Sequence, residues 1–372
     1  MAGKIGKIVN RLLTSRHPLL RAGDRLFEKA VGGRIRLPKP ALAMGPAEHL
    51  KFSINDDNGE KDKIEFVFDA VFQNFESNLV MGEKGMYRLV RKFAEGGMSK
   101  IFLVKDMGGT KYLLKEVINA SEFPPKTRRE LLQRFSYEME IMQKINSPNV
   151  VKFVDRDPHT PPRFFVMEYI HGIDLQKMLS AGRQISSRVS LTIISEVLKG
   201  LIAFENAVRE KGRPVAAHRD LKEENILLEI KEKTIKRVVL CDFGVAKLPG
   251  SELTGTMQFL GTPSRAAPEV FPGGAKHVDQ RADIYSLGTI LYSLLAGKEP
   301  YDITSPEDYF EFLKNPAALL DRVLANQPEN VSNHLWSVVS KAMAAKPEQR
   351  YQGYADFKGA LALALRASKK IG

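Results

Sequence analysis

The chain has 372 residues, a formal net charge of +12 and a hydrophobic content of 43%. It is long enough for two or three domains with apolar cores, and its ordinary content of 28 Gly and 20 Pro excludes a collagen-like or wholly disordered chain. A single cysteine, Cys241, excludes a disulfide scaffold and a cysteine-rich zinc site. Residues 1–40 hold ten Lys or Arg and two acidic residues, a net charge of +8 that leaves only +4 for the remainder. The basic character therefore belongs to the N-terminal arm, which argues against a nucleic-acid-binding protein.

The first 40 residues are predicted to form one or two basic amphipathic helices. Apolar residues recur at helical spacing from Ile5 to Leu13, and His17-Pro18 interrupts the pattern. Three interpretations stay open: a helix pair packed on the body of the protein, a membrane-surface anchor through residues 1–30, and a targeting presequence. The best apolar stretch, 284–297, has 14 uncharged residues, whereas a spanning helix needs about 20. We therefore expect a cytoplasmic protein whose membrane contact, if it has one, is peripheral.

The rest of an N-terminal extension, 1–87, contains a predicted hairpin and a predicted helix. Apolar residues alternate on both sides of a polar, turn-rich run, which predicts a hairpin over 49–68. The spacing of its aromatic residues predicts a helix over 69–80. Short apolar strands then continue to residue 168, and long helical patterns follow. The sequence therefore predicts an α+β protein with a small, mostly β lobe at 88–168, a larger helical lobe at 169–366 and a tail at 367–372.

The first chemical anomaly is a lysine on the apolar face of a strand. Alternation over 111–118 places Lys115 on the same face as Leu113 and Val117. Glu138 occupies one position of an otherwise apolar stripe on the following helix. A buried charge needs a partner of opposite sign. The two residues together predict an ion pair that holds a strand to a helix over a cleft, whereas each alone is equally consistent with a surface charge.

The second anomaly is a cluster of polar residues between apolar flanks. Asp220, Lys222 and Asn225 lie close together in the chain, and Asp242 follows a buried-type strand, 22 residues after Asp220. Carboxylate and amide oxygens are the ligands that Mg²⁺ prefers. A single Asp is often only a turn or helix cap, but capping does not require Lys222 and Asn225 at these offsets.

These residues resemble the motifs of the eukaryotic-type (Hanks-type) serine/threonine protein kinase family, and they are most similar to its bacterial branch. Residues 218–225 resemble the catalytic loop, 242–244 the metal-binding motif and 267–269 the close of the activation segment. The segment 283–288 resembles the buried helix beneath the site, and Arg350 a late arginine that pairs with Glu269. The resemblance covers residues 88–365, and it implies a bilobal kinase fold.

The resemblance implies transfer of the γ-phosphoryl group of Mg-ATP to a Ser or Thr hydroxyl of a protein substrate. Asp220 would orient the hydroxyl and accept its proton, and Lys222 would neutralise charge on the transferring group. Lys115 would hold the α- and β-phosphates. The catalytic set is Asp220, Lys222, Lys115, Glu138 and Thr262, and the metal ligands are Asn225 and Asp242. Lys222, two residues after Asp220, is the serine/threonine pattern.

The resemblance also implies a nucleotide site with two parts, a phosphate-covering loop and the segment that joins the lobes. In the loop, Ala94 and Ser99 stand where the family has its first and third glycines, whereas Gly96 keeps the central position. Backbone groups of Glu168 and Ile170 would bind adenine. The full set of nucleotide-binding residues is Ala94, Gly96, Gly97, Ser99, Ile101, Lys115, Met167, Glu168 and Ile170.

The remaining expectations concern regulation and acceptor binding. A phosphate on Thr254 or Thr256 would order the activation segment near Arg219, so we predict regulation by autophosphorylation. Arg265 stands where the family has an aromatic residue, in the region that faces the substrate, and Glu223 replaces a proline. Two other functions stay open: a nucleotide-binding pseudokinase scaffold, and a small-molecule phosphotransferase, which the complete activation segment disfavours.

Overall fold

The computed structural model describes the side chains and backbone of most residues from 79 onward and the backbone of two earlier strands. The described residues are 48–55, 61–68, 79–96, 99–118, 124–180, 185–210, 217–243, 265–270, 278–301, 308, 312 and 314–368. They divide into two compact units, one within residues 1–91 and 104–110 and the other within 92–103 and 111–372. The predicted helices over 1–40 lie outside the described residues, as does the predicted tail except for its first two residues, which are helical.

The first unit holds two pairs of antiparallel strands. β1 (Glu48–Asn55) pairs along its whole length with β2 (Lys61–Phe68), in the region where alternation predicts the hairpin. β3 (Leu79–Met81) pairs with the start of β4 (Met86–Glu95). The end of the predicted helix over 69–80 is therefore wrong, because Leu79 and Val80 form strand hydrogen bonds with β4. Residues 69–78 lie outside the described residues.

The second unit begins with strands. The strands that follow β4 in the chain are β5 (Ser99–Asp106), whose last three residues belong to the first unit, β6 (Lys111–Val117), β7 (Phe153–Arg156), β8 (Phe164–Glu168), β9 (Gly172–Asp174), β10 (Ile226–Lys231) and β11 (Thr234–Leu240). β8 lies between β6 and β7 and is antiparallel to both. Its apolar run is explained by this central position, since Phe165 and Val166 are fully buried. β9, β10 and β11 form a separate antiparallel sheet.

Helices make up most of the rest of the second unit. They are α1 (Pro125–Lys144), α2 (Leu175–Leu179), α3 (Ser187–Arg209), α4 (Gln280–Ala296), α5 (Pro316–Leu324), α6 (Asn333–Ala342) and α7 (Tyr354–Ser368). α4 contains most of the apolar stretch 284–297 and is buried on nearly every side, which explains why its sequence lacks a polar face. Within the described part of the chain, no helix has the length and apolar content that a membrane span requires.

Close packing of α3 yields a stability prediction. A Cβ atom on Gly200 would lie 2.7 Å from the backbone oxygen of Asn149, and that oxygen accepts the N–H of Leu240 at 2.8 Å. We expect Gly200→Ala to lower the free energy of unfolding by about 1–2 kcal/mol, because overpacking outweighs the better helix propensity of alanine. Urea unfolding followed through the fluorescence of Trp336, which is buried in the same unit, measures the change.

The matched control is Gly359→Ala in α7. This glycine is exposed, and a Cβ atom on it would meet nothing within 4 Å. We expect this variant to be as stable as the wild type or more stable, by up to about 1 kcal/mol. A Gly200→Ala protein that is as stable as Gly359→Ala would contradict the close contact between α3 and Asn149.

Candidate active site

The structure brings Lys115 and Glu138 together inside the second unit. β6 carries Lys115 and α1 carries Glu138, and their side chains are only 8% and 5% exposed. The Lys115 Nζ atom donates to Glu138 Oε1 at 2.6 Å. Glu138 lies in the buried stripe of α1 beside Phe135 and Met142. Burial raises the pKa of the Glu138 carboxyl, which makes its charge dependent on the facing ammonium.

Lys115 has a second carboxylate partner. Its Nζ atom also donates to Asp242 Oδ1 at 2.7 Å, and the Asp242 side chain is 48% exposed. Burial lowers the pKa of the Lys115 ammonium, but the carboxylates of Asp242 and Glu138 raise it by more, so the net pKa lies above the ordinary lysine value. The charge of Lys115 in turn lowers the pKa of Asp242. One ammonium thus bonds two carboxylates from distant parts of the chain.

The loop between residues 218 and 225 gathers three polar side chains. Asn225 Nδ2 donates to the backbone oxygen of Asp220 at 2.8 Å, and it lies 3.5 Å from the Oδ2 atom of that residue. Lys222 Nζ lies 3.9 Å from Asp220 Oδ2. The side chains of Asp220 and Lys222 are 16% and 28% exposed, so both can reach a bound molecule. A proton acceptor and a cation therefore share one short loop.

A backbone contact joins this loop to the end of β11. The N–H of Cys241 donates to the backbone oxygen of Asn225 at 3.0 Å, and the Cys241 thiol lies 3.4 Å from the same oxygen. Asp242, the next residue, has a left-handed backbone with φ of 54°, which turns the chain directly after the strand. Asn225 and Asp242 are therefore neighbours. Burial raises the pKa of Cys241 to about 12, which is typical of a structural cysteine.

The Asn225 and Asp242 pair fits a magnesium ion. Their amide and carboxylate oxygens are hard ligands, and the Asp242 carboxylate is half-exposed and ionised. Among the residues that the structure describes, no three His, Cys, Asp or Glu side chains form a group that could hold a metal. Mg²⁺ in nucleotide-dependent enzymes is bound by one or two carboxylates together with substrate phosphates. The phosphates of a nucleotide would supply the further oxygen ligands that this pair lacks.

A buried carboxylate on α4 holds the start of the 218–225 loop in place. Asp283 accepts the backbone N–H groups of His218 and Arg219 at 2.6 and 2.9 Å, and the hydroxyl of Tyr354 at 2.5 Å. Burial raises the pKa of the Asp283 carboxyl. The sequence indicated that 283–288 is buried but gave no role to Tyr354, which is 71 residues further along the chain. A tyrosine in an amphipathic helix carries no signal of such a contact.

The predicted phosphate-covering loop is described in part. Ala94 lies at the end of β4, and Ser99 and Ile101 lie in β5. The N–H of Gly96 donates to the backbone oxygen of Ser99 at 2.9 Å, which joins the described ends of the loop. A Cβ atom on Gly96 would meet nothing closer than 3.9 Å, which leaves free space beside this backbone. Gly97 lies outside the described residues.

The segment predicted to bind adenine starts at the end of β8. Met167 is buried in β8, and Ile170 is 8% exposed two residues after its end. The N–H of Glu168 donates to the backbone oxygen of Lys152, so only its carbonyl remains a candidate for adenine. The carboxylate of Glu168 pairs with Arg237 at 2.9 Å.

The segment that closes the predicted activation region is described from residue 265. The predicted ion pair between Arg350 and Glu269 is present, with two parallel bonds of 2.7 and 2.8 Å and an arginine that is 1% exposed. Arg265 is expected in the region that faces the substrate, which stays a prediction, and its side chain is buried against Glu223. Thr262, Thr254 and Thr256 lie outside the described residues.

Comparison with known proteins shows which family the chain is similar to. The sequence model of one protein family, the protein kinase domain, matches residues 87–358. Serine/threonine-protein kinase Pkn1 of Myxococcus xanthus is 32% identical over 302 residues, which cover 77% of this chain and 39% of that protein. Serine/threonine-protein kinase PrkC of Bacillus subtilis is 27% identical over 289 residues, which cover 77% of this chain and 41% of that protein. The chain thus spans about two-fifths of the length of these curated relatives.

A solved structure supports the fold in particular. The kinase domain of Mycobacterium tuberculosis PknI matches 77% of this chain and 99% of its own length, with a TM-score of 0.51 and 24% identity. This similarity concerns the fold alone. It confirms the predicted α+β architecture, and the bacterial relatives confirm the resemblance inferred from the motifs. The chain belongs to the protein kinase family, with a small lobe built on a β-sheet and a larger helical lobe.

Proposed function

We propose that this chain is an active serine/threonine protein kinase that uses Mg-ATP. Membership of the family implies ATP, a divalent metal ion and protein substrates. The single observation that carries the proposal is the double contact of Lys115 Nζ with Glu138 and Asp242. This contact brings the ammonium proposed to bind phosphate next to the carboxylate proposed to bind the metal. Positioning and charge neutralisation provide most of the catalysis in phosphoryl transfer.

The proposed mechanism uses the side chains that the site gathers. Lys115 binds the α- and β-phosphates, and Asp220 orients the acceptor hydroxyl. A bond forms between the hydroxyl oxygen and the γ-phosphorus while the bond to the β–γ bridging oxygen breaks. Asp220 takes the hydroxyl proton, Lys222 neutralises the developing charge, and ADP leaves. Mg²⁺, held by Asn225 and Asp242, would neutralise charge on the β- and γ-phosphates when bound.

A pseudokinase scaffold is the second candidate, and the contacts of the site disfavour it. Ala94 and Ser99 replace two glycines of the phosphate-covering loop. The backbone of Gly96 nevertheless bonds that of Ser99 across the loop. A scaffold would have no need for Lys115, Asp220 and Asp242 in these positions at once. The proposal of a Ser/Thr rather than a Tyr acceptor is supported by Lys222, which lies beside Asp220.

A transfer assay tests the proposal. The purified chain is incubated with γ-labelled ATP, Mg²⁺ and a generic basic protein, and phosphoamino acids are analysed afterwards. We expect label on Ser or Thr, and loss of transfer with EDTA or in the Asp242→Asn variant. Bound ATP without transfer would support the pseudokinase instead, and label on Tyr would overturn the acceptor class.

Mass spectrometry of the same sample tests autophosphorylation at Thr254 or Thr256, which stays a prediction. Membrane contact through residues 1–30 also stays a prediction.

A further inference from the structure

A buried ion cluster centred on Arg265 joins the 218–225 loop to segment 265–270. The contacts of Lys115, Asp220 and Asp242 described above do not make this connection. Arg265 Nε donates to Glu223 Oε2 at 3.0 Å, and Arg265 Nη2 donates to Glu223 Oε1 at 2.5 Å. These two residues are 3% and 2% exposed. Glu299, whose side chain is 47% exposed, lies 2.5 Å from the same Nη2 atom. The Arg265–Glu223 bond is therefore a two-pronged contact almost entirely removed from water.

Each end of the bond is fixed to functional structure. Glu223 directly follows Lys222 and opens the short turn Glu223–Asn225, whose last residue holds the Asp220 carbonyl. The backbone oxygen of Arg265 accepts the hydroxyl of Ser286 on α4 at 2.8 Å. Four residues later, Glu269 is held by Arg350. The segment 265–270 is thus attached at both ends by Arg–Glu pairs, and one of these pairs reaches the catalytic loop.

The sequence also indicates that Glu223 and Arg265 belong together, since both are unusual at their positions. Glu223 and Arg265 are two of the positions where the chain departs from the family pattern, which has a proline and an aromatic residue there. Glu223 without Arg265 would be an unpaired charge in the protein interior, at a high energetic cost, and Arg265 without Glu223 would keep only the half-exposed Glu299. The structure joins the two departures in one bond, so each makes the other tolerable. Two independent substitutions in a chain that had lost its activity would not be expected to form a matched ion pair.

We propose that Arg265 and Glu223 form a positioning pair that sets the catalytic loop against segment 265–270, where the acceptor side of a protein substrate is expected to bind. This inference rests on the proposed kinase function. The pair touches neither the phosphate-binding Lys115 nor the residues expected at adenine. Its integrity therefore governs kcat and the KM for a protein or peptide acceptor, and the KM for ATP does not depend on it.

The test compares steady-state kinetics of Glu223→Gln and Arg265→Lys with the wild type, using one acceptor peptide selected from a peptide array. Both variants keep side-chain size and lose the two-pronged bond. We expect kcat/KM for the peptide to fall by about 10- to 100-fold, because a small displacement of the catalytic loop misaligns the reacting atoms. The KM for ATP should stay within about twofold of the wild-type value. The control is Arg163→Lys, which alters a similar arginine held by buried Asp157 outside the site.

A double variant, Glu223→Pro with Arg265→Tyr, tests the pair even if a single variant folds poorly. It installs the residues usual in the family, and we expect it to recover most of the peptide kcat/KM that Arg265→Tyr alone loses. Thermal unfolding of every variant separates loss of fold from loss of alignment. An active wild type with Glu223→Gln unchanged, or with equal losses for ATP and peptide, would overturn the positioning pair and leave the kinase function intact. An inactive wild type would overturn both.

Discussion

Replacing Asp220 with asparagine is expected to slow phosphoryl transfer by about 10²- to 10⁴-fold, the range typical of a general acid–base residue. The asparagine side chain has nearly the same shape, and Asn225 would still donate to the backbone oxygen at position 220. The amide cannot accept the hydroxyl proton and provides no negative charge beside Lys222. The loss should therefore fall on kcat, and ATP should bind with unchanged affinity, as measured by calorimetry.

A distant aspartate provides the control for this substitution. Asp321 is exposed on α5, and Asp321→Asn makes the same chemical change away from the site. We expect this variant to retain the wild-type rate. Transfer by Asp220→Asn at more than about a tenth of the wild-type rate would show that another group accepts the proton.

Replacing Lys115 with methionine is expected to remove both activity and stability. Glu138, which is 4% exposed, would lose its counter-charge. Breaking a buried pair from one side costs about 3–5 kcal/mol, because the remaining charge has neither water nor partner. The control is Lys177→Met, which removes a lysine that is 70% exposed in its pair with Asp174. An exposed pair of this kind contributes at most about 1 kcal/mol.

The Lys115→Met variant should also acquire a new pH dependence. Burial already raises the pKa of Glu138, and loss of the ammonium removes the main effect that opposes burial. A carboxyl whose folded-state pKa is raised is favoured when protonated, so its contribution to stability is present at low pH and is lost as the pH rises through that pKa. We therefore expect the melting temperature of the variant to fall more steeply than that of the wild type between pH 5 and pH 8 (a range chosen for the measurement).

A double variant separates the two roles of Lys115. Lys115→Met with Glu138→Leu replaces the ion pair with apolar side chains, a change that is often neutral for stability. We expect stability and its pH profile to recover while phosphoryl transfer stays absent, because no ammonium remains for the phosphates. A double variant as unstable as Lys115→Met would mean that the exposed carboxylate of Asp242, rather than Glu138, causes the loss.

The sequence predicted the parts of the site that depend on local periodicity. Alternation in β6 identified Lys115 as a charge on an apolar face, and the stripe on α1 identified its partner Glu138. Both anomalies are visible because each departs from a regular pattern in its own element. A short apolar run predicted the buried strand that precedes Asp242, which the structure has as β11. The fold class followed from the separation of strands and helices along the chain.

The predictions that were wrong or absent concern contacts between distant segments. The predicted helix over 69–80 ended wrongly because strand pairing with β4 decides the conformation of Leu79 and Val80. Arg265 turns inward because its partner, 42 residues earlier, is an acid in the interior. Tyr354 contacts Asp283 across 71 residues. Spacing within one element contains no information about partners of this kind.

The left-handed backbone at Arg219 and Asp242, with φ of 64° and 54°, has a consequence for ligand affinity. Such a conformation costs a residue with a side chain about 1–2 kcal/mol. At Arg219, the backbone N–H donates to the buried carboxylate of Asp283 on α4. This contact with the helical core offsets the conformational cost of the left-handed backbone. We expect a nucleotide bound beside these two residues to meet backbone that is already in place. Little of its intrinsic binding energy is spent on ordering the loops.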